Sequence, residues 1–299
     1  MKRLVVIVGP TAIGKTATAI AVAQALKTEI LSCDSRQFYR ELDIGVARPS
    51  PDELAAAPHH FIANRSVTTP YNIYQYEQEA LALLERLFRS HDDVVAVGGS
   101  GLYVDALCRG VSRMPDPAPE LRERLSRQIA EGGLPGLLED LQRLDPAYYA
   151  VVDRDNPIRV QRALETIYTS GRPYSELVNQ PTTPRPFKII KIGLSAERDI
   201  LRRRIDTRVD QMMEQGLLDE VASLLPLRNL NTLNTVGYKE IFSYLDGKST
   251  LRQAVTDIKN HTWQYAKKQM TWLNRYPEII WTECGFFSKI LQVLSATGY

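Results

Sequence analysis

The chain has 299 residues, 44% of them apolar and 24% charged, with 37 Lys and Arg against 35 Asp and Glu for a formal net charge of +2. These proportions exclude a disordered or collagen-like chain, and the length provides for one large or two smaller domains around a sizeable core. The charge balance argues against a uniformly basic phosphate-binding surface, and three scattered cysteines, Cys33, Cys108 and Cys284, indicate neither a disulfide framework nor a cysteine metal site; a reducing cytoplasm suits them.

Lys2-Arg3 precedes Leu4 to Val8, an apolar run too short for the core of a secretion signal, and no run reaches the length of a membrane span. The run is uninterrupted and rich in β-branched residues, which predicts a strand buried on both faces of a parallel sheet. It ends in Gly9-Pro10. Ala17 to Leu26 has helical spacing, and Glu29 to Cys33 returns to a strand, completing a βαβ unit. Between Gly45 and Pro70 four more prolines predict a long loop with little regular structure. Val94 to Val97 is a further strand stopped by Gly98-Gly99, and Ile189 to Leu194 another.

Two proline clusters, Met114 to Pro119 and Pro181 to Pro186, mark stiff connectors. Between them, Pro119-Glu120 starts a helix that ends before Gly132-Gly133, and Asn156-Pro157 opens one closed by Gly171. Residues 113–187 therefore read as a helical insertion in an α/β core made of 1–112 and 188–299. The last hundred residues are largely helical, without repeats or low-complexity tracts.

Gly9-Pro10-Thr11-Ala12-Ile13-Gly14-Lys15-Thr16 matches the Walker A pattern between a predicted strand and a predicted helix. Its glycines let successive N–H groups form an anion nest, the helix N-terminus adds partial positive charge, Lys15 supplies a mobile cation, and the Thr16 hydroxyl is a candidate Mg²⁺ ligand. The loop thus binds a di- or triphosphate. Asp34, the loop and Gly98-Gly99-Ser100-Gly101 all follow strands, so they converge at the carboxyl ends of a parallel sheet, where chemistry gathers. Asp34 could also simply cap a turn, and the loop alone fits a nucleoside or small-molecule kinase equally well.

Gly9 to Thr16, Asp34-Ser35-Arg36-Gln37 with Tyr39, Gly98 to Tyr103, Arg208, Gly237-Tyr238-Lys239-Glu240, and Tyr265 to Gln269 with Thr271-Trp272 together resemble the bacterial tRNA dimethylallyltransferases in order and spacing over essentially the whole chain. The resemblance implies a P-loop NTPase-like parallel sheet flanked by helices, with the insertion on the tRNA anticodon arm. It also implies transfer of a dimethylallyl group from dimethylallyl diphosphate, with Mg²⁺, to the exocyclic amine of the adenosine 3′ of the anticodon. Transfer to free adenylate, or RNA binding without catalysis, are the other readings. Three positions depart from the family's usual residues: Ser100 for Thr, Gly45-Val46-Ala47-Arg48-Pro49 for Gly-Thr-Ala-Lys-Pro, and Lys268 for Arg.

On this resemblance Asp34, Ser100 and Arg208 are catalytic: Asp34 takes the amine proton, Ser100 hydrogen-bonds near the adenine, and Arg208 joins Gly9 to Thr16 on the diphosphate. Asp34, Ser35, Arg36, Gln37, Ser100, Arg122, Arg159, Gln161 and Arg162 contact tRNA. Arg202-Arg203-Arg204 is either a further contact or an exposed run. His59, His60 and His261 have no partner at metal-ligand spacing and read as structural or surface residues, and Trp263, Tyr265 and Trp272 as packing residues rather than base-stacking platforms. A monomer working without a membrane is expected. Residues 109–208 carry 18 basic against 14 acidic groups, so overall neutrality conceals a mildly basic insertion and its return. The expectation is tRNA binding that weakens with salt, with a slope reflecting only a few phosphate contacts.

Overall fold

The computed structural model describes residues 1–178, 184–285 and 287–297. Strands β1 (Arg3–Val8), β2 (Ile30–Ser32), β3 (His59–His60), β4 (Asp93–Gly98), β5 (Lys188–Ser195) and β6 (Ile280–Glu283) pair in parallel in the order β3-β2-β4-β1-β5-β6. Leu4 to Val8 are 0% exposed, which is the double-sided burial their apolar run predicts. Because every strand runs the same way, the segments after β1, β2 and β4 emerge side by side at one edge.

Helices α1 (Lys15–Leu26), α2 (Pro51–Ala56), α3 (Ile73–Leu87) and α4 (Gly101–Arg109) accompany the first four strands. Then come α5 (Pro119–Ala130), α6 (Leu134–Leu144), α7 (Pro146–Tyr149), α8 (Pro157–Ser170) and α9 (Tyr174–Val178), and after β5 α10 (Arg198–Glu214), α11 (Leu217–Ser223), α12 (Tyr238–Leu245), α13 (Leu251–Leu273) and α14 (Phe287–Ala296). Val5 and Ile7 share a core with Ala19 and Val22 of α1, Leu201 and Ile205 of α10, and Ile290 and Leu294 of α14. A second core gathers Val209, Leu217, Val221, Tyr238 and Ile258 with Tyr39 and Leu42. Among the described residues no helix is long and apolar enough to cross a membrane.

The predicted loop from Gly45 to Pro70 is not structureless: it contains α2 and β3. The proline count is misleading here because Pro51 starts a helix rather than breaking one. Ser50 Oγ accepts from the Glu53 N–H at 3.2 Å and the Glu53 carboxylate accepts from the Ser50 N–H at 2.9 Å, a reciprocal cap with Pro51 at the first helical position.

Residues Gly110–Pro184 form a separate compact unit, three residues ahead of the expected 113–187 at each end. Its core holds Leu125, Leu137, Leu141, Val160, Ala163 and Leu164. The Asn156 side chain caps α8 by accepting from the Arg159 N–H at 3.3 Å, and Gly171 closes that helix. Buried Asp145 accepts from Tyr148 N–H, Ser175 N–H and Ser175 Oγ at 3.0, 2.7 and 2.7 Å, stapling α7 to α9. Within the second proline cluster, Pro181-Thr182-Thr183 lie outside the described residues.

Candidate active site

The segment after β1 folds into the cradle its glycines anticipate. Gly14 takes φ +100°, a left-handed turn that only glycine adopts without strain, and α1 starts at Lys15, bringing the positive end of the helix to the loop. The loop is held from outside. Thr11 N–H donates to Gln269 Oε1 at 2.8 Å, Gln269 Nε2 donates to the Gly99 carbonyl at 2.9 Å, and Arg204 donates to the Ile13 carbonyl at 3.2 Å. Buried Gln269 of α13 thus locks the P-loop to the segment after β4, a role the sequence gives no local sign of.

Lys15 Nζ donates to the Pro10 carbonyl at 2.8 Å. Burial, reinforced by the Arg208 charge and opposed by Asp34, pushes its pKa down to about 8. Burial also lowers the Arg208 pKa from its usual value. Gly14, Lys15, Thr16, Asp34 and Arg208 line one cavity of about 740 Å³.

Asp34 does cap its turn: Oδ1 accepts from the Arg36 and Gln37 N–H groups at 2.8 and 3.3 Å. The cap and the cavity are compatible, because the same carboxylate lies close enough to Lys15 to raise its pKa against the burial. Ser100 Oγ accepts from the Ser35 N–H at 3.1 Å and lies 3.3 Å from Ser35 Oγ, so Ser100 fixes the residue next to Asp34. Tyr265, expected from sequence to be a packing residue, is only partly covered. Burial raises its pKa, while 40% of the residue stays exposed. Tyr265 and Arg36 line a second cavity of about 350 Å³, which shares Thr11, Asp34, Val46, Ala47, Arg208 and Met212 with the first.

The other predicted residues separate by role. The Gln37 amide is engaged at both ends, accepting from Ser32 Oγ at 3.2 Å and donating to the Val46 and Ala47 carbonyls at 3.4 and 3.0 Å; it shapes the cavity wall. Arg122, Arg159, Gln161 and Arg162 all belong to the inserted unit. There Arg122 and Arg162 lie 3.4 and 3.6 Å from the buried Glu165 carboxylate, and Gln161 donates to it at 2.9 Å, whereas Arg159 is exposed. The Arg202 to Arg204 run is no simple exposed stretch: Arg202 pairs with Asp206 at 3.2 Å and Arg204 buttresses the P-loop. His59 Nδ1 donates to the Ala57 carbonyl at 2.7 Å, and His60 and His261 face Glu29 and Glu240 at 2.6 Å each. Trp272 Nε1 donates to Asp105 at 3.1 Å, and Trp263 packs on the core.

Among the described residues no group of three or more His, Cys, Asp or Glu could hold a metal by itself. The Thr16 hydroxyl nevertheless offers a hard oxygen donor in the same cavity as Lys15, Asp34 and Arg208. A Mg²⁺ ion uses few protein oxygens and completes its shell with phosphate and water, so this hydroxyl fits one that arrives with a diphosphate.

The IPP transferase family model matches residues 37–276. A "tRNA dimethylallyltransferase 1" of Bacteroides thetaiotaomicron is 47% identical over 98% of this chain and 96% of its own, and a "tRNA dimethylallyltransferase" of Christiangramia forsetii is 47% identical over 96% and 95%. The crystal structure of a full-length tRNA isopentenylpyrophosphate transferase from Bacillus halodurans superposes with a TM-score of 0.71 at 34% identity, covering 99% of this chain and 95% of that one. With a Walker A cradle on an all-parallel sheet, a P-loop NTPase-like fold, and relatives this similar along nearly all their length, the chain belongs to the IPP transferase family of tRNA dimethylallyltransferases.

Proposed function

We propose that the protein transfers a dimethylallyl group from dimethylallyl diphosphate to N6 of the adenosine immediately 3′ of the anticodon in tRNA, releasing diphosphate. The observation that carries this reading is that Asp34 and Arg208 line both cavities. One cavity holds the P-loop, and the other holds Arg36 and the exposed face of Tyr265. A transferase needs such a junction, where a phosphorylated donor and a second substrate meet.

An adenine amine is a poor nucleophile, so catalysis concentrates on the leaving group. The P-loop N–H groups, Lys15 and Arg208 hold the diphosphate as the bond to the first prenyl carbon breaks and the electron pair leaves with the phosphate oxygen. Held by the Thr16 hydroxyl, Mg²⁺ would supply further positive charge to the leaving diphosphate. Ile44, Val46 and Met212 line the same cavity and give the prenyl chain an apolar surface. Asp34 orients the amine and accepts its proton as the carbon–nitrogen bond forms. A carboxylate is a weak base towards a neutral amine, but the alkylated nitrogen is cationic and strongly acidic.

The adenine must leave its stack to reach Asp34, at a cost of a few kcal/mol. Tyr265 offers a ring to stack on, and Arg36 a charge for the neighbouring phosphate. We place the anticodon arm on the inserted unit, with Arg122, Arg159, Gln161 and Arg162 towards the RNA backbone, and the reaction in the cytoplasm. Labelled dimethylallyl diphosphate and labelled ATP offered in parallel with unmodified tRNA test the reading. Label from the first enters RNA; phosphate transfer from ATP would make the protein a kinase instead.

The Lys15 environment sets a pH dependence. In the free enzyme the ammonium is charged below about 8 and loses its proton as pH rises through that value. Since kcat/KM reports groups of the free enzyme, kcat/KM for dimethylallyl diphosphate falls with rising pH across this range. A profile flat there would show that Lys15 does not capture the diphosphate as a cation.

A further inference from the structure

The segment from Asp43 to Pro49 walls the diphosphate cavity with Ile44 and Val46. Three consecutive N–H groups in it, those of Asp43, Ile44 and Gly45, donate to the Glu220 carboxylate of α11 at 3.2, 2.7 and 3.1 Å, and the Tyr238 hydroxyl donates to the same carboxylate at 2.5 Å. Successive N–H groups aimed at one point form an anion nest of the kind phosphates occupy. Here the protein's own carboxylate fills it, so this wall is pinned rather than offered to substrate.

The pinning extends along the whole segment. Gly45 lies so close to the Tyr238 ring that a Cβ would sit 2.5 Å from it. Gln37 holds the Val46 and Ala47 carbonyls. Ala47 keeps φ +48°, a conformation that persists in a non-glycine residue only when its surroundings impose it. Glu220 and Tyr238 line neither cavity, so the chemistry makes no use of this arrangement. It does decide where Ile44 and Val46 stand.

We infer that Glu220 is a positioning residue for prenyl-chain length: by fixing the Asp43 to Pro49 backbone it holds Ile44 and Val46 where the cavity accepts a five-carbon allylic chain and refuses a ten-carbon one. Each further buried methylene favours binding, so a longer homologue is refused only by a wall that does not yield. The inference rests on the dimethylallyl reading of the cavity.

The test measures kcat/KM for dimethylallyl diphosphate and for geranyl diphosphate, with unmodified tRNA, in the wild type, Glu220→Gln and Tyr238→Phe. The wild type favours the shorter donor by about 100-fold. Glu220→Gln turns amide donors towards N–H donors, frees the wall, and raises the geranyl-to-dimethylallyl ratio by about tenfold; Tyr238→Phe, which keeps the ring under Gly45, raises it less. A ratio of two substrates on one protein sample is blind to the fraction folded, so instability alone cannot move it, and Tyr238→Phe decides the matter if Glu220→Gln does not fold. An unmoved ratio, or a wild type that uses both donors equally, overturns the inference while leaving dimethylallyl transfer standing. A wild type that transfers neither chain to tRNA overturns the dimethylallyl reading, and the inference with it.

Discussion

Asp34→Ala lowers kcat for prenyl transfer about 10²–10⁴-fold, the usual cost of losing a general base, with little change in tRNA affinity. The carboxylate also caps its turn through the Arg36 and Gln37 N–H groups, so alanine loosens Arg36 as well as removing the base. Asp34→Asn separates the two roles. Its amide oxygen can still accept from those N–H groups, but it cannot take the proton of the alkylated amine. Steady-state kinetics with tRNA and dimethylallyl diphosphate check this: asparagine retains KM for tRNA near the wild-type value and loses kcat nearly as far as alanine does. Near-normal turnover in either variant removes Asp34 from the base role and leaves it a turn residue.

The largest effect on stability is expected at Arg185. Its guanidinium donates to Glu77 at 2.7 Å, with the two side chains only 5% and 6% exposed, and also to the carbonyls of Ala106 and Leu107 at 2.6 and 3.0 Å. It thereby ties the start of β5 to α3 and to the end of α4. Arg185→Ala takes the cation away from a buried carboxylate and from two buried carbonyls at once. Breaking a buried pair in this way costs about 3–5 kcal/mol, seen as a lower urea midpoint at unchanged slope. Arg185→Lys restores charge without the planar fork and recovers only part of the loss. A midpoint unchanged by the alanine would mean that water reaches the pair and replaces the guanidinium.

Much of this site is legible in the amino-acid sequence, for a physical reason. The P-loop, Asp34 and the Gly98 to Gly101 segment each follow a strand directly, so short-range pattern and parallel topology together predict that they meet. Residues acting from the opposite end of the chain send no such signal. Gln269 bridges the P-loop and Gly99 from α13, and Glu220 pins the cavity wall from α11. In sequence both are ordinary polar positions on helices. Tyr265 is ambiguous because a tyrosine on a partly buried helix gives the same pattern whether its ring is covered by the core or lines a cavity. The difficulty at α2 has a different origin: a proline count suggests a loop, whereas Ser50 and Glu53 around Pro51 are the signature of a helix start. The Gln37 amide is likewise engaged by a carbonyl ten residues on, which composition cannot reveal.

Dimethylallyl transfer to tRNA is tested most directly by mass analysis of unmodified tRNA incubated with the protein and dimethylallyl diphosphate, then digested and mapped. The expected product has a single adenosine, the one 3′ of the anticodon, carrying one added five-carbon dimethylallyl group on its exocyclic nitrogen. A tRNA of unchanged mass, or a group gained only by free adenylate, would contradict it.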